Sequence, residues 1–589
     1  MIRHLLLFSA VVLFATNALA APTVSAGGVV NAATYLPDGL LNSGIAQGSI
    51  FLVFGSGMGP STLVSSGYPL KTVLPATGGT SIKITVGGTT VDALMVYTSA
   101  GQVAAILPSS TQTGSGTLTL TYNGETSASV PILVIKSSFG MFTLNQGGTG
   151  PAVLTNASYK VNTLFASARP GDTMILWGTG LGPITADETM PPPVVNMTSL
   201  DVKVYIGGQL AHVSYQGRSP CCSGLDQINF VVPSGVSGCY LPVAVTVGGV
   251  VSNFPSMSVA ANGGTCSDPD GLSASALDTI SGGKDQKVGV VVLSRFTPTI
   301  GPVPLLGTFT LNQDTGAAFF YDYNESSLIK ARGVAPINVF GSCSVAVCLG
   351  TSCVPHTAAT GAKVLDAGAA LTVTAEGTNL KPVNLPKNSS GGYTGVLGGG
   401  TIASLPGVCL GTPPCGPDFL NPGNFSITGP GGSDVGALNV TTTIKAPEVW
   451  TNSADFSCAN NSTGCDIPRS SDSKPIKWTP GDSSSYVAIV GTSTTNAPKV
   501  STDPPQLTGT FFCSQTADAG QFVIPSWVLS AMPASGSITQ QGIAGISVPN
   551  GFLFFGSYPT LSPFSPLPTG LDLGYVANYN ITGQNVAYQ

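Results

Sequence analysis

The chain has 589 residues, a formal net charge of −6 and only 8% charged side chains. It has no basic patch, which argues against a nucleic-acid partner. Its length predicts about three or four domains, and 75 glycines and 45 prolines among many serines and threonines predict short strands joined by turns.

The first 20 residues have the pattern of a secretory signal peptide. Arg3 and His4 precede an apolar run from Leu5 to Thr16, and Ala18-Leu19-Ala20 is a small-residue cleavage site. The run is shorter than a membrane span, and no stop-transfer segment follows it. We therefore expect an exported protein, secreted or at the cell surface, with no transmembrane segment after signal removal.

The next 240 residues contain an internal duplication. "NAATY", "GSIFLVFGSGMGP", "TVGG", "GQVAAILP" and "LTYNG" recur in the same order as "NASY", "GDTMILWGTGLGP", "YIGG", "DQINFVVP" and "VTVGG", at offsets of 120 to 125 residues. Five ordered anchors at nearly one period indicate two homologous domains, at 23–137 and 138–262.

Each copy alternates apolar and polar residues with a period of two. Ile82, Ile84 and Val86 precede a Gly-Gly turn in the first copy, and Val202, Val204 and Ile206 do the same in the second. Alternating runs joined by two glycines predict hairpins. Several such strands within about 120 residues predict a β-sandwich, so the expected fold class is all-β.

The glycine-rich stretch of the first copy is not a dinucleotide site. Gly55, Gly57 and Gly59 alternate, so the third glycine comes too early for G-x-G-x-x-G, and Pro60 blocks the helix that this loop needs. We predict a turn at the end of a strand.

The second copy resembles the opening of IPT/TIG-type immunoglobulin-like domains. The resemblance rests on "RPGDTMILWGTGLGP", and the whole repeat resembles a domain of uncharacterised secreted bacterial proteins through Asn156-Ala-Ser-Tyr159, Gly178–Gly182 and Gln227-Ile-Asn229 with Pro233. The first copy departs from this pattern at Gln47 and in "QVAAILP". The resemblance implies tandem immunoglobulin-like β-sandwiches and no established activity.

The rest of the chain has a different sequence pattern. Residues 263–350 form a β-rich segment, which we expect to belong to the next module, and 351–589 are expected to form a C-terminal β-sandwich module. Pieces such as "LDAG", "GGSDVG" and "WTN" resemble a second poorly characterised module of the same secreted proteins, without known chemistry. The stretch Pro525–Met532 suits a helical turn.

Twelve cysteines, all between Cys221 and Cys513, favour disulfides in an exported chain. Sequence does not determine their connectivity, but we expect the adjacent Cys221 and Cys222 to bond to different partners. The candidate short-range pairs are Cys222 with Cys239, Cys409 with Cys415, and Cys458 with Cys465.

The composition argues against metal and cofactor sites. Cys343, Cys348 and Cys353 are spaced by five and have only His356 nearby, which is not zinc-ligand spacing. "SDPDG" around Asp268 lacks the remaining ligands of a calcium loop. We expect neither a metal nor a cofactor.

The sequence contains few groups for hydrolytic catalysis. His212 lies in a predicted strand and no G-x-S-x-G elbow is present, so a serine-hydrolase triad is not expected. Paired carboxylates for glycoside hydrolysis would have to come from Asp322 with Glu325, or from Asp434, for which we expect a turn-capping role.

The candidate ligand-binding residues are aromatic side chains and one acid, all in the C-terminal half. Aromatic rings beside a carboxylate can bind sugars, although tryptophans of sandwiches more often belong to the core. The candidates are Tyr321, Asp322, Tyr323, Trp450 and Trp478.

We therefore expect a non-enzymatic adhesion, scaffolding or binding role, with extracellular polysaccharide or surface proteins as partners. The alternative is a carbohydrate-binding protein or a glycoside-active enzyme with its site in the C-terminal half. Exposed, coplanar aromatic rings or two acids in one cleft would favour the alternative.

Overall fold

The computed structural model describes residues 20–267, 273–303, 307–325, 341–350, 362–402, 405–409, 411–457, 465–481, 485–499, 505–539, 547–558 and 561–589. The predicted signal peptide up to residue 19, the calcium-like Asp268, the zinc candidates Cys353 and His356, and Cys458 lie outside these residues. The expected fold class is confirmed: tandem immunoglobulin-like sandwiches precede a disulfide-containing β-sandwich region.

The first duplicated copy, called repeat one, is a sandwich of two sheets. One sheet has the strand order β1-β3-β8-β7-β4, and the other has β2-β11-β9-β5-β6 with β10 on β9. Its strands are β1 Thr23–Asn31, β2 Ile45–Ala46, β3 Ile50–Ser56, β4 Val64–Ser65, β5 Ser81–Val86, β6 Thr89–Asp92, β7 Leu94–Thr98, β8 Gln102–Ile106, β9 Gly114–Tyr122, β10 Glu125–Thr126 and β11 Val130–Ile135.

The second copy, repeat two, follows the same plan, but one long strand joins its two layers. The start of β17 pairs with β16 and the remainder pairs with β18, where repeat one uses the separate strands β6 and β7. Its strands are β12 Gly140–Met141, β13 Leu154–Asn156, β14 Thr173–Thr179, β15 Val195–Asn196, β16 Val202–Ile206, β17 Gln209–Arg218, β18 Asp226–Val231, β19 Gly238–Val247, β20 Val250–Val251 and β21 Ser256–Val259.

The remaining residues form the C-terminal module, which begins with the helix α1 (Ala274–Ser281) and contains a second helix α2 (Ser526–Leu529). The sequence indicated α2 but not α1. The strands are β22 Gln286–Val303, β23 Gly307–Thr310, β24 Gln313–Tyr323, β25 Ser342–Leu349, β26 Lys363–Val364, β27 Ala370–Ala375, β28 Val383–Pro386, β29 Tyr393–Gly399, β30 Thr401–Ile402, β31 Leu405–Cys409, β32 Gly423–Gly429, β33 Leu438–Ile444, β34 Asp466–Ile467, β35 Ile476–Lys477, β36 Tyr486–Thr494, β37 Leu507–Thr516, β38 Gln521–Phe522, β39 Ser537–Thr539, β40 Ser547–Pro549, β41 Gly551–Tyr558, β42 Ser562–Pro563, β43 Leu573–Asn585 and β44 Ala587–Tyr588.

An eleven-stranded mixed sheet is the centre of this module. Its main order is β25-β37-β36-β41-β43-β22-β24-β26, with β23 on β22, β29 on β24 and β42 on β43, and β22 runs parallel to β43. A four-stranded sheet, β28-β27-β32-β33, packs on it around a core that includes Leu293, Phe320 and Ile427. Strands from the segment 263–350 therefore pair with strands near the C-terminus in one sheet.

The motifs "NAATY" of repeat one and "NASY" of repeat two each form a turn that holds an aromatic pair. Asn31 Oδ1 accepts from the backbone N–H groups of Ala33 and Thr34, and Tyr35 then takes a positive φ of 55° and packs on Phe54 with ring centroids 6.3 Å apart. In repeat two, Tyr159 stacks on Trp177 at 6.4 Å. The asparagine is needed because its side chain satisfies the turn's backbone donors.

The glycine-rich turn of repeat two binds a carboxylate of the same chain. The backbone N–H groups of Gly180 and Leu181 each donate to Asp226 Oδ2 at 2.7 Å. Repeat one has Gly101 at the position that matches Asp226, and there the Gly55 N–H donates to the Gly101 carbonyl. The predicted strand-end turn is present in both copies, and in the second its amides form an anion-binding concavity.

The two repeats are joined by partly buried polar contacts. The Ile50 N–H of repeat one donates to Thr179 Oγ1 at 2.9 Å, and the Thr179 hydroxyl donates to the Gly224 carbonyl at 2.7 Å. Ser109 of repeat one donates through its N–H and its hydroxyl to the two carboxylate oxygens of Glu188 in repeat two, at 2.8 and 2.7 Å. These directional contacts hold the repeats in one relative orientation.

Trp527 anchors the C-terminal module to repeat two. Its ring, on α2, lies 5.0 Å from that of Tyr205 and 5.8 Å from that of Phe254, and both pairs are stacked. Because aromatic stacking adds to the burial of apolar area, this contact fixes α2 against repeat two.

The structure corrects two expectations about the cysteines. Cys221 is bonded to its neighbour Cys222, and Cys239 is bonded to Cys266 rather than to Cys222. The reason for the second pairing is proximity in the fold. Cys239 on β19 and Cys266 in the segment after β21 lie together in a small core with Leu277 of α1.

Three further observations concern other cysteines of the described residues. Cys409 is bonded to Cys415, the pair favoured by their spacing. Cys343 on β25 is bonded to Cys513 on the adjacent β37, across 170 residues. Cys465 is disulfide-bonded as well, and its expected partner Cys458 lies outside the described residues.

Candidate functional site

Trp450 and Trp478 do not form an exposed platform, which corrects the expectation that they bind a ligand. They pair with each other in a β-bridge and are 6% and 3% exposed. Trp478 Nε1 donates to the Ala517 carbonyl at 2.7 Å, and both rings pack near Phe555. Their role is to fill the core beside the eleven-stranded sheet.

Tyr321, Asp322 and Tyr323 do not share one surface. Strand alternation puts Phe319, Tyr321 and Tyr323 on one face of β24, with ring centroids 6.4 and 5.9 Å apart, and turns Asp322 to the other face. Tyr323 also packs against the small core of α1. Burial, followed by the charge of Asp285, raises the pKa of Asp322. The expected pairing of aromatic rings with this acid is therefore absent from β24.

Asp366 of "LDAG" and Asp434 of "GGSDVG" stabilise the loops in which they lie. Asp366 accepts from Lys387 Nζ at 2.6 Å and from the Gly368 N–H at 3.1 Å, and Asp434 Oδ2 accepts from the Asp366 N–H at 3.0 Å. The bond to Lys387 holds the pKa of Asp366 well below its usual range. The turn-capping role expected for Asp434 agrees with these contacts, and both acids serve structure.

A cavity of about 290 Å³ with both apolar and polar walls opens between β43, β22 and the segment that follows β33. Side chains of Arg295, Lys445, Glu448 and Ser557 line it together with Asn578. Glu448 accepts a hydrogen bond from the Ser557 hydroxyl. The volume is at the lower end of the range of about 300–1,000 Å³ that is common for small-molecule sites.

The arginine of this cavity is neutralised by its own neighbours. Nε and Nη2 of Arg295 donate to the two oxygens of Asp314 at 2.8 Å each, and Nη1 donates to Asn421 at 3.0 Å. Asp314 also accepts from the N–H groups of Phe419 and Leu420. All the guanidinium nitrogens have partners, so Arg295 shapes the wall and holds the 418–421 loop.

A second cavity of about 640 Å³ shares Lys445 and Asn578 with the first. It lies along the exposed side of β33, where Thr441 and Thr443 alternate with the buried Val440 and Thr442. The two cavities are neighbours that share these wall residues, and we call the pair the β33 cleft.

The walls of the β33 cleft combine apolar, polar and charged side chains. Leu293 and Ile444 contribute apolar surface, Lys445 lines both cavities, and the carboxylates of Glu448 and Glu376 are each bonded to a serine hydroxyl. Within the described ranges, no group of three or more histidine, cysteine, aspartate or glutamate side chains is placed to hold a metal ion. In the same ranges, no helix has the length and apolar character of a membrane span.

Sequence reasoning missed the β33 cleft because its residues are far apart in the chain. Asn578 bonds to Thr442 across 136 residues, and neither belongs to a recognisable motif. The alternation "NVTTTI", which puts threonine on the polar side of a strand, is the sequence signal that could have indicated a hydroxyl-lined surface.

No family model matches the sequence, and no curated protein matches it. Among solved structures, the chain is similar to a tetra-tandem repeat from the extending region of a large adhesion protein, with 12% identity over 96% of this chain and 100% of that one, at a TM-score of 0.12. It is also similar to a mixed-linkage glucan utilisation protein, SGBP-B, of Bacteroides ovatus in complex with a heptasaccharide (11% identity, 83% and 94% coverage, TM-score 0.12).

A third similar structure is the extracellular region of plexin A4, domains 1 to 8, with 13% identity and a TM-score of 0.14. The match covers 40% of this chain and 18% of the plexin chain, so it spans less than a fifth of that protein's length. At these TM-scores the likenesses carry no argument about function.

Proposed function

We propose that the protein is an exported, non-enzymatic binding scaffold that attaches to extracellular polysaccharide, with its two immunoglobulin-like repeats, of IPT/TIG type, as a rigid support for the C-terminal module. The observation that supports this proposal most is the way in which the two repeats and the C-terminal module are joined. Ser109 and Glu188 couple the repeats, and Trp527 is stacked between two rings of repeat two.

The contacts of three carboxylates in the C-terminal module support a binding role. Asp314, Asp366 and Asp434 are each bound to basic side chains or backbone amides of the same module. An acid that is held in such contacts is committed to the fold and is not positioned to protonate a glycosidic oxygen.

Disulfides support export. Cys343–Cys513 joins the edge strand β25 of the central sheet to its neighbour β37, and Cys239–Cys266 closes the end of repeat two. Stable disulfides of this kind are typical of oxidising compartments outside the cytosol.

The test is retention of the purified chain, residues 21–589, on insoluble polysaccharides such as cellulose, xylan, chitin and β-glucan. The proposal predicts retention on at least one polymer and elution of the protein by that polymer's soluble fragments. Retention on none of them would overturn the proposed function. A protein made of residues 21–267, which keeps the Cys239–Cys266 disulfide, is the control for binding by the repeats.

A further inference from the structure

The disulfide between Cys221 and Cys222 does not close a loop of the chain. The two cysteines are neighbours in sequence, whereas Cys343 and Cys513 are bonded across 170 residues. In the chain-entropy account, a disulfide stabilises a fold because it shortens the loops of the unfolded chain, so a bond between neighbours contributes little in this way. The bond therefore calls for an explanation other than the stability of repeat two.

This disulfide also lies at the surface of repeat two. Cys221 is exposed and Cys222 is half-buried, whereas Cys343 and Cys513 are 2% and 0% exposed. Thiol–disulfide exchange requires that a thiolate reach one of the two sulfur atoms, and exposed disulfides are the more labile ones for this reason. An external thiol can therefore approach Cys221 without unfolding of the repeat.

The two residues that follow the disulfide contact repeat one. Ser223 donates from its N–H to the Tyr68 hydroxyl at 3.1 Å. Gly224 has a positive φ of 74° and lies so close to repeat one that an added Cβ would stand 2.7 Å from Ile50 Cγ1. The Gly224 carbonyl accepts from the Thr179 hydroxyl, which in turn accepts from the Ile50 N–H. The loop between β17 and β18 is thus part of the contact between the repeats.

The disulfide restricts the backbone that leads into this contact. With the bond formed, Cys221 and Cys222 close a small ring that contains the peptide bond between them, which limits rotation in both residues. Reduction opens the ring and restores that rotation. The entropy of the additional conformations then opposes the fixed positions of Ser223 and Gly224 against repeat one.

We propose that Cys221–Cys222 is a thiol–disulfide exchange site, and that its reduction by a small dithiol loosens the contact between the two repeats. A thiolate of the dithiol attacks Cys221 Sγ, the bond to Cys222 breaks, and Cys222 leaves as a thiolate that takes up a proton. The second thiolate of the dithiol attacks the reagent's own sulfur in the mixed disulfide, and Cys221 leaves and is protonated. The protein gains two electrons and two protons, and the dithiol becomes a cyclic disulfide. This site is independent of the polysaccharide binding proposed above.

The first experiment is titration of the folded mature chain, residues 21–589, with dithiothreitol, followed by alkylation with iodoacetamide and peptide mass spectrometry. We expect Cys221 and Cys222 to be alkylated at a dithiothreitol concentration about tenfold or more below that required for Cys343 and Cys513. Alkylation of all four cysteines at the same concentration would overturn the proposal. Resistance of Cys221–Cys222 to reduction until the protein unfolds would do so as well.

Hydrogen exchange measures the effect of reduction on the contact. The Ile50 amide belongs to repeat one and is far from the disulfide in sequence, so its exchange reports on the contact itself. Reduction should speed its exchange about tenfold, because the contact then opens more often. The amide of Ile84, in the core of repeat one, should exchange at the same rate before and after reduction. An unchanged rate at Ile50, or an equal increase at Ile84, would contradict a local loosening of the contact.

A pair of double variants identifies the disulfide that is responsible. Cys221→Ser/Cys222→Ser cannot form the bond, so Ile50 should exchange as fast as in the reduced wild type and should not respond to dithiothreitol. The matched control is Cys409→Ser/Cys415→Ser, which removes a short-range disulfide of the C-terminal module and should leave the response of Ile50 as in wild type.

The outcomes for these variants decide the assignment. A response to dithiothreitol that persists in Cys221→Ser/Cys222→Ser, or that disappears in the control, would assign the effect to another disulfide and overturn the proposal. Thermal unfolding of each variant identifies any loss of fold. If Cys221→Ser/Cys222→Ser fails to fold, the reduction of wild type and the control variant still decide.

Discussion

Arg218 and Asp226 form a fully buried ion pair beside the boundary between the two repeats. Arg218 Nη1 lies 2.9 Å from Asp226 Oδ1, and both side chains are 0% exposed. Arg218 also donates to the Gly182 carbonyl at 2.8 Å and approaches Gly48 of repeat one. Burial raises the pKa of Asp226 to about 6, and Arg218 and the two turn amides oppose that shift.

Breaking this pair should destabilise the repeats strongly. Asp226→Asn leaves the guanidinium buried without a counter-charge, for which we expect a loss of about 3–5 kcal/mol in the free energy of unfolding. Guanidinium chloride unfolding of residues 21–267, which keep the Cys239–Cys266 disulfide, measures it.

The matched control for Asp226→Asn is Asp92→Asn, in the exposed pair of Lys83 and Asp92 at 2.8 Å. Exposed pairs contribute less than about 1 kcal/mol, so this variant should be close to wild type. Equal losses in the two variants would show that burial of the pair does not matter.

Thr179→Val tests the hydrogen bonds between the repeats. The substitution keeps the shape of the side chain but leaves the Ile50 N–H and the Gly224 carbonyl without their partner, which costs about 1–3 kcal/mol. We expect faster hydrogen exchange at the Ile50 amide. Thr173→Val, at the exposed start of the same strand, is the control, and unchanged exchange at Ile50 in Thr179→Val would contradict the contact.

Trp527→Ala tests the anchor between repeat two and the C-terminal module. Removing the ring takes away two stacked contacts, so the units should separate while each stays folded. Small-angle scattering should show a larger radius of gyration. Tyr159→Ala, which removes an exposed ring from the stack on Trp177, should leave the radius unchanged.

Asp366 should make the C-terminal module sensitive to acid. Its folded-state pKa is lowered, so its contribution to stability is present above the ordinary aspartate pKa of about 4 and is lost as the pH falls below that value. Asp366→Asn should flatten the dependence of the unfolding transition on pH between about 2 and 5.

Lys387→Met is a second variant that tests the acid sensitivity of the C-terminal module. It keeps the carboxylate and removes the largest cause of the lowered pKa, so the dependence on pH should weaken but not vanish. An identical pH profile in Asp366→Asn and wild type would rule out this linkage.

The fold class was predictable because its signals are local. Alternation in segments such as Ile82–Val86, and turns such as Gly207-Gly208, report on strands and hairpins without knowledge of distant contacts. The duplication was visible for the same reason, since each anchor is a short motif whose turn geometry recurs.

The candidate site was not predictable, because burial and partners depend on which strands become neighbours. Trp450 and Trp478 looked like binding residues until the sheets placed them in a core, and Asn578 had no distinguishing neighbours in sequence. The bond of Cys239 to Cys266 depended in the same way on how α1 packs against the end of repeat two.

A time course of reducing-end release from the polymer that retains the full mature chain is the most direct test of a non-enzymatic binding function. We expect the protein to remain bound and the concentration of reducing ends to stay at that of the polymer alone. Steady release of oligosaccharides in proportion to protein concentration would contradict the proposed function.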